Sequence, residues 1–445
     1  MEKGQEMIGH PSVKNILKFS LPSVFSILFM SLYVVVDGLF VSNLVGTTAL
    51  AAINLVYPVY GLIYAICLMM GTGGIAICAT LLGRGEGVHA RKTFTALTIV
   101  TVIASILYGI LVLVTRDFTF GVLGVGDTTF QYATDYLFPI VIFFPSLALQ
   151  IMFQMAFIAA GKPNLSFLII LAAGVTNMVL DYVFIAVFGW GIAGAGVATG
   201  VGATIPALIG LIYFSVKKDC TLRFSRPKFN LKEIGKACVN GSSEMVSNLG
   251  VSVVTFLFNI AMLNIAGDDG VAAITIILYG EMLLVGILFG FAVGISPVIS
   301  FYNGQNNAKY LKSLFKGNMK IVLVFSAVAA LGGMIFAPQI ASAFTSSNGA
   351  VFDMVVVGMR TFSIAYFFMG TNIYASAMFT AYSNGLVSAL ISFLKTFVFT
   401  SGLLLLLPML LGQTGVFIAV PIAELCTFCV SAGLLFKFRK KYMYG

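Results

Sequence analysis

Apolar residues run along this chain in blocks of roughly 20 to 30, closed by short polar stretches, and a block of about 20 suffices for one helical crossing of a bilayer. Transmembrane strands would need short alternating segments, and the chain has none. The pattern predicts twelve spans, at 16–43, 50–82, 93–115, 131–160, 164–188, 191–215, 238–264, 270–301, 317–340, 351–381, 385–410 and 414–436. The fold class it implies is an all-α polytopic membrane protein.

Composition agrees. Of 445 residues, 59% are hydrophobic and only 9% charged, too few to cover a soluble surface. The opening MEKGQEMIGHPSVKN is polar and runs directly into a first span too long for a signal-peptide core, so no cleavable signal is expected. The basic residues fall on one side. Lys3, Lys14 and Lys18 precede span 1; Arg84, Arg91 and Lys92 follow span 2; Lys162 follows span 4. Lys217, Lys218, Arg223, Arg226, Lys228, Lys232 and Lys236 fill the central loop. Lys309, Lys312, Lys316 and Lys320 follow span 8, and Lys437, Arg439, Lys440 and Lys441 form the tail. The opposite loops carry Asp117, Asp127, Asp135, Asp268, Asp269 and Asp353, with Arg116 the one clear basic exception. The positive-inside bias then predicts a multi-pass protein of the cell (plasma or inner) membrane with both termini cytoplasmic. The net charge of +9 is accounted for by topology, and no nucleic-acid partner is expected.

The two halves repeat. Asn43 matches Asn264, Gly46 Gly267, Gly83 Gly304, Phe94 Phe315, Ala160 Ala381 and Gly194 Gly415, always at an offset of 221 (264 minus 43, for instance). Six spans per copy is an even number, so the copies are parallel repeats about an axis along the membrane normal. The expected organisation is an N-lobe at 1–215, a cytoplasmic linker at 216–237 and a C-lobe at 238–445, in a single monomeric chain.

Ionisable residues inside spans cost about 2.5–3.5 kcal/mol on insertion scales and by default mark a pathway or site. Span 1 carries Asp37; span 5 carries Asn177 and, one turn on, Asp181; span 6 carries Thr199. At about 1.5 Å per residue, Asp37, Asp181 and Thr199 share a band about 9–12 Å below the far boundary. The repeat supplies a control: 221 residues on stand Phe258, Val398, Gly402 and Val420, so the twin framework needs none of these polar groups. Two carboxylates close together in a low-dielectric site cannot both stay ionised cheaply, which makes the site a proton acceptor. Hard oxygen ligands equally suit Na⁺, whose charge lets both ionise. No other cofactor or metal is expected.

The second half has its own buried charges. Glu281, Lys395 and Glu424 fall near mid-membrane, and Glu244 nearer the cytoplasmic end of span 7. A lysine flanked by two carboxylates reads first as a charge-compensating network, with substrate contact or proton relay as the alternatives. Arg360 can snorkel to the surface, and Trp190 fits an aromatic belt. Cys426 and Cys429 lack a second cluster, and His10 and His89 read as unclustered, so no metal site is expected. Gly189, Gly191 and Gly194 mimic a dinucleotide fingerprint without the strand it requires, while Gly196 and Gly200 suit close helix packing. With no Walker A sequence, ATP does not power this chain alone. Pro22, Pro139, Pro145, Pro206, Pro297 and Pro421 are candidate kinks.

Duplicated six-helix halves, VVVDGLFVSNLVGTTALAAINLVYP and NMVLDYVF…GIAGAGVATG together resemble the multidrug and toxic compound extrusion (MATE) family over essentially the whole chain. The stretches GSSEMVSNLGVSVVTFLFN and GVAAITIILYGEMLL look like a bacterial branch of it. The resemblance implies two bundles around a V-shaped cavity, with inward flow of Na⁺ or H⁺ driving drug export. It implies a cation site at Asp37, Asn177, Asp181 and Thr199. Some relatives place coupling acids deeper in span 7 and in span 10; here mid-span 7 is acid-free and Asp353 lies at the edge of span 10. The expected function is a secondary antiporter, not an enzyme, exporting lipophilic, mostly cationic drug-like compounds or a metabolite by alternating access. The alternative within the same superfamily is a lipid-linked oligosaccharide flippase.

Overall fold

The structure, a computed structural model, describes residues 7–345 and 349–445. Lys3, counted above among the basic residues before span 1, lies outside the described residues. An unbroken apolar block has one way to satisfy its backbone in lipid, the intrahelical i to i−4 bond. Span 1 is Val13–Leu44, span 2 Thr47–Gly83 and span 3 Gly87–Val114. Span 4 is broken into Asp127–Ile142 and Phe144–Ala159, bent by 54°. Span 5 is Pro163–Asp181 continued by a π-helical turn at Tyr182–Val187, and span 6 is Gly191–Val216. Leu231–Gly304 is helical through 74 residues except at Gly267 (φ 62°, ψ −147°), which reverses the chain within it. It therefore supplies spans 7 (231–266) and 8 (268–304). Span 9 is Ala308–Ile335 and span 10 Ala350–Ala381. Span 11 is Gly385–Phe393, a π turn at Leu394–Thr400 and Ser401–Leu411; span 12 is Gln413–Phe438.

Twelve crossings among the described residues thus match the hydropathy pattern, with two corrections. Span 9 begins at Ala308 rather than 317 and span 7 at Leu231 rather than 238, inside the expected linker, because their first turns carry Lys309, Lys312 and Lys316, and Lys232, Glu233 and Lys236, and register as polar. Pro22, Pro206, Pro297 and Pro421 lie inside continuous helices, and the sharp break falls only between Pro139 and Pro145. A proline removes one hydrogen bond, which a long packed helix can absorb; two prolines six residues apart defeat span 4.

The repeat is visible in the backbone. Two short helices, Arg116–Leu123 and Ala337–Phe344, stand 221 apart (337 minus 116). Gly191 and Gly412, likewise 221 apart, open spans 6 and 12 with left-handed φ of 58° and 57°, a turn that a side chain would strain.

Glycines also set how the copies meet. A Cβ on Gly73 of span 2 would lie 2.2 Å from the Ala237 carbonyl oxygen of span 7, so the backbones touch. Its counterpart Gly294 of span 8 rests on Ser20 and Ser23 of span 1. Gly83 and Gly304 meet each other across the pseudo-twofold axis, near the ends of spans 2 and 8. All these contacts lie toward the end that carries both termini. Toward the far end Leu32, Val35 and Leu39 of span 1 and Val251, Phe256 and Leu263 of span 7 are exposed. The copies close at one end and part toward the other, a V.

Candidate cation site and the buried charges of the second copy

Spans 1 and 5 run in the same direction and pack through Gly174. A Cβ there would sit 2.5 Å from the Phe29 ring and 2.8 Å from the Tyr33 ring, so only glycine lets both aromatics lie against span 5. One turn beyond Tyr33 comes Asp37; two turns beyond Gly174 comes Asp181. Their carboxyl groups face each other between the two spans. Span 6 completes the site by the same device. Gly202 leaves room for the Asn177 side chain, whose Cβ would be 3.1 Å from a Cβ there, and Asn177 Nδ2 donates to Thr199 Oγ1 at 3.5 Å, a weak contact. On its other face span 6 grips the break in span 4: Gly196 lies under the Tyr136 carbonyl and Pro139, Gly200 under the Phe143 ring, and Thr204 Oγ1 donates to Ser146 Oγ at 2.9 Å.

The structure thus brings together the four side chains named from sequence. Asp181 is 0% and Asn177 2% exposed. Among the described residues, Asp37 Oδ1, both carboxylate oxygens of Asp181 and Asn177 Oδ1 are buried with no hydrogen-bond donor. Clustered acceptors without donors are expensive unless a proton or cation joins them. Next to them is a cavity lined by Asn177, Thr199, Tyr33, Tyr60 and Gln150, with room for about one water molecule. Sequence reading missed Gln150, a buried amide within a span, because the rule that flagged Asp37 covers ionisable residues and leaves neutral amides aside. Tyr33 and Tyr60 carried no signal, being two of 17 tyrosines in an aromatic-rich chain. The π turn starting directly after Asp181 was equally silent in the sequence; such turns are frequent at functional sites.

In the second copy Lys395 Nζ pairs with Glu424 Oε1 at 2.6 Å, and Asn372 Nδ2 donates to Glu424 Oε2 at 2.7 Å and to the Glu424 carbonyl at 2.9 Å. Glu281 faces both charges, yet no ion pair joins it to Lys395 within 4.0 Å. Lys395 stands in the π turn of span 11, as Asp181 adjoins that of span 5. Glu244 stands apart from this trio, at the seam between the copies. Arg360 is exposed, and Trp190 is half exposed and stacked on Phe184 at 4.8 Å. His89 corrects the sequence reading: it is clustered, with Nε2 2.9 Å from Glu233 and Nδ1 3.2 Å from Glu86. The 144 residues between His89 and Glu233 hid that contact. No group of three metal-ligating residues occurs among the described residues.

Comparison with known proteins fits this geometry. The family model MatE matches residues 22–183 and 245–403, one match in each copy. The chain is 25% identical over 444 residues to the multidrug export protein MepA of Staphylococcus aureus, covering 96% of this chain and 93% of that one. It is 23% identical over 403 residues to MepA of Staphylococcus saprophyticus, covering 87% and 84%. Among solved structures it superposes with a TM-score of 0.90 and 25% identity on a multidrug resistance MATE family transporter described as outward-facing, over 100% and 99% of the chains. A MATE crystal structure in complex with MaL6 gives 0.91 at 23%, with the same coverage.

Proposed function

The chain belongs to the MatE family of membrane transporters, and from that premise we propose that it is a cation-driven efflux antiporter for lipophilic, mostly cationic compounds. The observation that carries this reading is the cluster of four donor-less buried oxygens from Asp37, Asn177 and Asp181, on helices of the first copy only. Such a cluster needs positive charge, and the driving ion, H⁺ or Na⁺, enters and leaves it as cargo.

The remaining assignments follow from the charge bias. With both termini cytoplasmic, the closed end of the V faces the cytoplasm and the open end faces out. The first copy would comprise residues 1–215 and the second 238–445, joined by 216–237, in a monomer embedded in the cell membrane. An ion arriving from outside joins Asp37 and Asp181 and removes their mutual repulsion. Span 1 then links this event to the seam, because the same helix that holds Asp37 rests through Ser20, Ser23 and Val24 on Gly290 and Gly294 of span 8. An ion shifts the equilibrium between outward and inward forms only by its difference in affinity for the two. A deep site on a helix that must tilt for the seam to open meets that condition. Release inside resets the cycle, and the solute moves the opposite way.

The flippase alternative requires free basic groups to meet a pyrophosphate. Lys395, the lysine deep in the second copy, is already held by Glu424. The test is efflux of a fluorescent cationic dye from reconstituted vesicles, with Na⁺ and pH gradients imposed separately. Asp37→Asn and Asp181→Asn should each abolish gradient-driven efflux, with membrane expression unchanged. If both variants still pump, or neither gradient drives the wild type, the antiport reading is wrong.

A further inference from the structure

We propose that Glu244, with the hydroxyls of Thr72, Ser296 and Thr380, forms a second site for a small monovalent cation, a proton or Na⁺, in the seam between the copies. This site is separate from that of Asp37 and Asp181 and does not depend on it.

Five observations carry the assignment. The first is composition: the cavity is shared, with Thr72 and Met155 contributed by the first copy and Glu244, Ser296, Ala377 and Thr380 by the second. Size comes next, since it has room for about two water molecules, enough for an ion and too little for an organic solute. Then there is charge. Glu244 is 7% exposed and is the one titratable side chain lining the cavity. Among the described residues its carboxylate has neither a hydrogen-bond donor nor an ion-pair partner, whereas Glu424 has both. The repeat gives the fourth: 221 residues earlier stands Ser23, which packs against Gly294, so the framework at this position does not require an acid. The last is a row of hydroxyls. Thr380 Oγ1 contacts Ser243 at 3.2 Å and Ser388 at 2.9 Å; the row continues through Ser376 (2.9 Å) and Ser392 (3.2 Å) to Ser247 (3.1 Å).

The physical consequence is a link between occupancy and closure. The cavity's walls are held together by the contact of Gly73 with Ala237 and Gly241, one turn from Glu244. While that seam is shut, the carboxylate inside it is unpaired and cut off from bulk water apart from the small cavity, which favours uptake of a cation. When the seam parts, water reaches the carboxylate and the ion can leave. The hydroxyl row offers a path out to span 11 that a proton can use and Na⁺ cannot.

The experiment counts bound ions on the purified full-length protein in lipid nanodiscs. One arm measures radioactive Na⁺ binding; the other counts protons released as pH is raised through the neutral range. Four forms are compared: wild type, Asp37→Asn with Asp181→Asn, Glu244→Gln, and the triple variant. Across the two arms, Glu244→Gln is expected to remove one ion per chain, and the triple variant to remove one more than the double. Loss in the sodium arm identifies Na⁺; loss in the proton arm alone identifies H⁺. Counts that Glu244→Gln leaves unchanged in both arms overturn the proposal, whatever the double variant does. Should Glu244→Gln not fold, Ser296→Ala with Thr380→Val serves instead. The expected result is then at least fivefold weaker affinity at one site, and unaltered affinity overturns the proposal.

Discussion

Buried charge takes two forms in this protein, and single residues decide which. Asp37 and Asp181 sit together without donors, while Glu424 accepts from Lys395 and Asn372. The first arrangement stores a demand for an ion; the second satisfies itself. Removing one partner of a buried pair typically costs 3–5 kcal/mol, because the other charge is stranded. The Lys395 side chain is 28% exposed, so Lys395→Met is expected to cost about 3 kcal/mol or less. Adding Glu424→Gln should recover most of that loss. Thermal unfolding in detergent reads both; a double variant no more stable than the single one would show that the pair does not act as a unit. At this scale the sequence revealed what is costly in lipid. It flagged the acids deep in the spans and passed over Gln150 and Asn372, since neutral amides are cheap enough to occur without function.

At the scale of elements, irregularities place the chemistry. The break at Phe143 and the π turns after Asp181 and around Lys395 each displace a helix from ideal geometry beside a polar group. The prolines of span 4 announced the break; nothing in YVFIAV or LKTFVFT announced a π turn. Small residues then fix the fit. A Cβ on Gly200 would lie 2.0 Å from the Phe143 ring, so Gly200→Val should push span 6 off span 4 and draw Thr199 away from Asn177. Overpacking of this kind costs about 1–3 kcal/mol. Cation affinity should fall with stability, whereas Gly402→Ala, which meets nothing within 4 Å, should change neither. Isothermal titration with the driving ion checks this; undiminished affinity in Gly200→Val would separate the packing from the site.

The whole molecule is two similar bundles that close on glycine at one end. Because backbone meets backbone at Gly73 and Gly241, a single methyl group has nowhere to go, lying 2.2 Å from the Ala237 oxygen and 2.4 Å from the Gly241 nitrogen. Gly73→Ala should therefore favour the form in which this seam is open. A cost of about 1–3 kcal/mol on the closed form corresponds to a shift in population of about 5- to 150-fold. Spin labels at the far ends of spans 1 and 7 should report a shorter mean distance in the variant. An unchanged distribution would mean that the glycine seam does not set the balance.

Hydrophobicity determined the membrane and the twelve crossings, and matched residues at one offset determined the duplication. Each depends on the composition of about 20 consecutive residues or on a constant offset, and both can be read along the chain without knowing how it packs. The difference between the copies singled out Asp37, Asn177, Asp181 and Thr199, since a framework conserved twice needs its polar groups in only one place. Tertiary structure decided what those residues face. Whether Glu244 joins the Lys395 network or stands at the seam, and whether His89 meets Glu233, depends on how helices far apart in the chain are rotated against one another. That rotation is set by glycine contacts and π turns, and depth along a single helix carries no record of it.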